Sequence, residues 1–175
     1  LNAALSAAAV SGDQLIGGAG YPNPVSHFSA EVIVKRGSRV YPYATVIDQG
    51  TGDAIVITPN SSPSSTCRLP GIVRAKGISG AYWVSDVAIL NPTPYPRKVK
   101  VTYSYTRAGV SGRMDSTQNI SMAPYQLMVG VDFVRLWLGL AEDDPGGYAS
   151  SYVDVTPAPD DQTNWMPLVV NGKTY

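Results

Sequence analysis

Charged residues make up only 15% of this 175-residue chain, against about 25% in an average soluble domain. The 13 basic and 13 acidic side chains cancel, so the electrostatic footprint of a nucleic-acid binder, or of a protein held on an anionic membrane, is missing. Cysteine is nearly absent: Cys67 alone excludes an internal disulfide framework and a cysteine-built metal site. It reads as a small buried hydrophobe, with pairing to another chain as the alternative. His27 is the single histidine, which removes multi-histidine metal sites and makes any Ser-His-Asp arrangement depend on it. No serine stands in a G-x-S-x-G context. Glu31 and Glu142 are the only glutamates, a thin supply for the facing carboxylates of a glycosidase. No apolar run approaches the 18 or so residues of a membrane helix. The chain starts at Leu1 with no charged leader, so it reads as a processed product or a piece of something longer.

What is present is 17 glycines, 14 prolines and 11 tyrosines, with many Ser, Thr and Val. A surface covered by Ser, Thr, Asn, Gln and Tyr in place of Lys and Glu suits an extracellular all-β protein. The strongest local pattern runs over 82–105, YWVSDVAILNPTPYPRKVKVTYSY. Val99, Val101, Tyr103 and Tyr105 alternate with Lys98, Lys100, Thr102 and Ser104, the period of a half-buried strand. Trp83, Val87 and Ile89 share one face of the preceding strand. Strands are also expected at 29–35 and 39–47, as a hairpin, and at 54–58, 72–75, 118–122, 126–130, 150–155 and 166–170. Asn171-Gly172 carries the signal of a type I′ hairpin turn, with only three residues after it.

The Ala-rich opening, with Asn2 as N-cap, predicts a short helix. A second is predicted over 131–140 (VDFVRLWLGL), where Phe133, Leu136, Trp137 and Leu140 recur at helical spacing behind an Asp132 N-cap. Residues 59–70 (PNSSPSSTCRLP) have the composition of a linker. The two ends of the chain follow one order: short helix, glycine-rich loop, strand, turn, strand. On that weak repeat, residues 1–59 are expected to be the back half of one unit, 60–70 a linker, and 71–175 a second unit, incomplete at its C-terminus. Sheets short of strands need a neighbour to cover their edges.

SDVAILNP, KVKVTYSY and NISMAPYQLMVGVDFVRLWLGL together resemble the pattern of bacterial secreted immunoglobulin-like β-sandwich repeats. In that pattern an Asp-containing strand ends in Asn-Pro, here Asn91-Pro92, and an alternating strand, an Ala-Pro turn and a short helix follow. YATVIDQGTGDAIVITP is similar to the segment that closes such a repeat. Pro94 and Pro96 crowd the turn, and Tyr125 stands where the pattern has glycine after Ala123-Pro124. The resemblance implies an all-β fold of immunoglobulin-like sandwich repeats with one or two short helices, in a surface, adhesive or multidomain secreted protein. It transfers no catalytic residue.

The remaining chemistry is sparse. Asp143-Asp144, Asp160-Asp161, and Asp48 with Asp53 are acidic pairs, and carboxylates bind Ca²⁺ when other oxygens complete six to eight ligands. None has a calcium-loop spacing, so solvated turns are expected. Trp83, Trp137 and Trp165 lie in patterned segments where core packing is the default, with a sugar-stacking platform as the alternative. Asn60 and Asn119 begin sequons. The expectation is a non-catalytic extracellular structural or adhesive β-sandwich protein, with no catalytic, cofactor-binding or metal-binding residue. It would associate with itself or with neighbouring domains by strand exchange, without nucleic acid or membrane insertion. The alternative is a glycan-binding or accessory module of a secreted enzyme, which calls for two or more exposed coplanar aromatics.

Overall fold

The computed structural model describes residues 64–175 together with the backbone of two earlier strands, β1 (Ala44–Ile47) and β2 (Ala54–Ile57). The chain divides into two compact units, Leu1–Ser61 and Ser62–Tyr175. In the first, β1 and β2 pair antiparallel from Ala44↔Ile57 to Ile47↔Ala54. The opening helix, the strand at 29–35, His27, Glu31, Asp48, Asp53, Asn60 and the N-terminal partner of the repeat lie outside the described residues.

The second unit runs β3 (Cys67–Pro70), β4 (Ala75–Lys76), β5 (Tyr82–Trp83), β6 (Ser85–Leu90), β7 (Arg97–Arg107), β8 (Met114–Met122) and β9 (Leu127–Gly130). A short helix α1 (Phe133–Leu138) follows, then β10 (Tyr148–Pro157) and β11 (Val169–Thr174). They form a four-stranded sheet in the order β3-β10-β7-β8, a three-stranded sheet β11-β6-β9, and the small pair β4-β5. All the pairings are antiparallel.

Strand β7 carries the alternation that its sequence shows. Val99, Val101 and Tyr103 are fully buried while Lys98 and Lys100 are exposed. Each such apolar side chain contributes about 1.5–3 kcal/mol by leaving water. Val87 and Ile89 do the same for β6, and Val153 and Val155 for β10. One hydrophobic cluster joins these residues with Ile72, Met122, Phe133, Val134, Tyr148 and Leu168, so both larger sheets share a core. At its centre Tyr103 stacks on Tyr105 at 4.8 Å and meets Phe133 edge-on at 5.9 Å. Burial pushes the Tyr103 hydroxyl far above the ordinary phenol range, and that hydroxyl donates to the Ile72 carbonyl at 3.1 Å.

Several expectations need correction. Asn171-Gly172 is no turn: both residues lie inside β11, opposite Ala88 and Val87. A Cβ at Gly172 would sit 3.2 Å from Ile72 Cδ1 and 3.3 Å from Leu69 Cδ1, a close approach to the backbone. The last four residues of the supposed linker form β3, since Cys67 and Leu69 face inward while Arg68 faces out to pair with Asp154 of β10. In α1 the buried residues are Phe133 and Val134, and Leu136 is 57% exposed. Asp132 makes no side-chain cap. It holds a left-handed φ of 47°, its N–H donates to Asp86 Oδ1 at 2.9 Å, and its Oδ2 lies 3.2 Å from Arg135 Nε.

Candidate functional site

Two ends and one side of the second unit concentrate side-chain chemistry. At the end where β6 hands over to β7, the Asn91 side chain is wholly buried and makes every bond an amide offers. Its Nδ2 donates to the carbonyls of Tyr95 at 2.8 Å and Ala123 at 2.9 Å, and its Oδ1 accepts from Thr93 N and Oγ1. The Asn-Pro motif is thus a clamp holding the proline-rich turn against the β8–β9 turn. Within that second turn Tyr125 adopts φ of 57°, a conformation natural to glycine that costs a side-chain-bearing residue about 1–2 kcal/mol.

Beside the clamp lies a buried ion pair. Arg97, 1% exposed, donates from Nε to Asp161 Oδ2 at 2.8 Å and from Nη1 to the carbonyls of Met166 and Pro167. Asp161 also accepts from Thr163 N and Oγ1. Burial pushes the Asp161 carboxyl up, but the bonds from Arg97 and Thr163 outweigh it and hold the group below the usual carboxylate range. Its neighbour Asp160 accepts from Lys98. Both members of this acidic pair are therefore taken by cations, and neither is a free turn carboxylate.

The opposite end is more loosely tied. Arg74, 3% exposed, donates to Tyr82 Oη at 2.8 Å and to the Glu142 carbonyl at 3.0 Å, while the nearest Asp132 oxygen stands 3.7 Å away. Arg74 Nε and Asp132 Oδ1 are buried with no hydrogen-bond partner among the described residues, as is Arg97 Nη2 at the other end. Gly146 is required here, since a Cβ would lie 2.8 Å from Tyr82 Oη and 2.9 Å from the Arg74 carbonyl. Asp144 spends its Oδ1 on the Gly146 N–H and its carbonyl on Tyr82 Oη. Among the described residues no three His, Cys, Asp or Glu side chains come together as a metal site would need.

The side of the unit between the outer strands β8 and β9 holds a groove of about 400 Å³. Its walls are Gln118 and Ile120 of β8, Leu127–Gly130 of β9, Leu136 and Trp137 of α1, and the core residues Val87, Ile89 and Phe133 at its base. Not one of these side chains is charged. Trp137 closes part of the gap: its ring stacks on Phe133 at 5.1 Å and its Nε1 donates to the Ser116 carbonyl at 3.4 Å. Among the described residues, no strand lies beside the outer backbone edge of β9.

Of the residues singled out by sequence, Trp137 packs on the core but Trp83 and Trp165 do not. Trp165 is 72% exposed, and Trp83 is about half exposed over Gly77. Cys67 is half-buried, and burial pushes its thiol up. Asn119 is exposed on β8. Sequence reading passed over Arg74 and Arg97, although each stands in step with buried neighbours, Ile72 in one case and Val99 and Val101 in the other. Comparison with family models, with curated proteins and with solved structures finds no match to this chain.

Proposed function

We propose that this is a non-catalytic extracellular structural or adhesive protein, whose second unit is a variant immunoglobulin-like sandwich that accepts an extended strand from a second copy of the chain. In the immunoglobulin arrangement the first strand lies beside the second and the last beside the sixth. Counting from β3 and leaving aside the β4-β5 pair, the inner neighbours β6-β9 and β10-β7 keep that order. The two end strands trade places, β3 lying beside β10 and β11 beside β6. A non-catalytic role is supported by the state of the carboxylates: Asp154, Asp160, Asp161 and Asp132 each face a cation within 4.0 Å. An extracellular setting is supported by the low charge and by the wealth of Ser, Thr and Tyr.

The observation that carries strand addition is the β9 edge. Proteins usually guard an outer strand with charge, proline or a covering element, and among the described residues Leu127–Gly130 has none of these beside an open groove floored by core residues. A strand added there would bond to the free backbone and place alternate apolar side chains in the groove. The chain carries such a segment itself in Ala54–Ile57 (AIVI), four uncharged residues long like β9. Light scattering on the full chain across a concentration series tests this. Oligomers that dissociate in Leu136→Glu, at an exposed groove wall, with the melting temperature unchanged, are the expected result. A monomer at every concentration, or oligomers indifferent to that substitution, would overturn it.

A further inference from the structure

Three aromatic side chains project into solvent from three loops at the clamped end of the second unit: Tyr95 is 50% exposed, Tyr125 63% and Trp165 72%. The loops are bonded into one surface. Asn91 ties the Tyr95 and Ala123 carbonyls together, and the Tyr125 N–H donates to the Thr93 carbonyl at 3.2 Å. Arg97 anchors the backbone immediately after Trp165 through the Met166 and Pro167 carbonyls. We propose that Tyr95, Tyr125 and Trp165 form a stacking platform for the pyranose rings of a neutral polysaccharide.

Aromatic faces bury the C–H face of a sugar ring while their Oη and Nε1 groups stay wet, and the exposed amides of Gln162 and Asn164 flank Trp165. Local charge is self-cancelling, since Lys98 and Asp160 pair with each other, which favours a neutral over an anionic chain. Rigid mounting matters because a platform already in place loses little freedom on binding. Tyr125 supplies the second line of argument. It keeps a left-handed backbone that glycine would hold without strain, and strain retained at an exposed ring points to use of that ring.

This inference rests on the adhesive reading above and names its ligand, but it does not need strand addition. The full chain is tested for retention on insoluble cellulose and chitin and for gel retardation by soluble xylan. Retention on at least one is expected, with affinity falling about ten-fold in Trp165→Ala and in Tyr95→Ala. Ile78→Ser, at an exposed position on the other end, keeps full affinity. Tyr125→Gly lowers affinity while the melting temperature stays level or rises, a combination that a merely structural tyrosine would not give. Leu136→Glu retains binding even where it abolishes self-association, so the two proposals fail separately. No retention on any of the three polysaccharides, or retention untouched by Trp165→Ala, would overturn the platform.

Discussion

The second unit buries two arginines, one towards each end, and they are held in different ways. Arg97 meets Asp161 at 2.8 Å and shares that carboxylate with Thr163, so the charge taken out of water finds a matched partner. Arg74 faces a phenol, a carbonyl and an Asp132 oxygen at 3.7 Å, and each guanidinium leaves one nitrogen without a partner among the described residues, Arg97 Nη2 and Arg74 Nε. The first arrangement ties the loop between β10 and β11 to the start of β7. The second spreads one cation over several weak acceptors, and Asp132 divides itself between Arg74 and Arg135. A buried charge is tolerated in both places, but only at the Arg97 end does it fix a geometry.

The most disruptive test of this contrast is Asp161→Ala, which strands a fully buried guanidinium. Chemical denaturation is expected to show a loss of about 3–5 kcal/mol. The double variant Arg97→Met/Asp161→Leu restores most of it, because apolar replacement of a buried pair is often neutral. Arg74→Met is expected to cost less, about 1–3 kcal/mol, since the groups left behind are mainly a phenol and a carbonyl. A cost equal to that of Asp161→Ala would erase the difference between the two ends.

The smallest effect is in pH. Asp161 has its folded value held below that of the unfolded chain, so its contribution is complete above about pH 4 and fades as the pH falls further. Melting temperatures measured down an acid series should fall more steeply for the native chain than for the Arg97→Met/Asp161→Leu variant. Parallel slopes would show that the pair adds nothing to acid stability.

Much of this architecture is legible in the residues, because period-two burial is a local property. Val99, Val101 and Tyr103 declare the core face of β7, and the same parity, followed one step back, places Arg97 inside. Ile72 and Arg74 share a face in the same way. Charge misleads here, since a basic residue at a strand start reads as solvated unless its partner is known, and Asp161 lies 64 residues away. The mistaken turn at Asn171-Gly172 has the same origin: Gly172 answers to Ile72 and Leu69, contacts across the fold that no local pattern carries. Trp165 follows a proline- and aspartate-rich loop, and only the hold of Arg97 on Met166 and Pro167 turns its ring outward as a fixed feature. The groove beside β9 needs the strand order before it can be seen at all.

The places of β3 beside β10 and of β11 beside β6 bear on mechanical load. Cys67, at the start of β3, lies opposite Val155, while Thr174, at the far end of β11, lies opposite Ser85. Tension applied between these points enters at opposite ends of the unit and runs along both strands. The backbone bonds of β3 to β10 and of β11 to β6 are then sheared together instead of being peeled open one after another. Rupture under such a load must break a whole row of bonds at once.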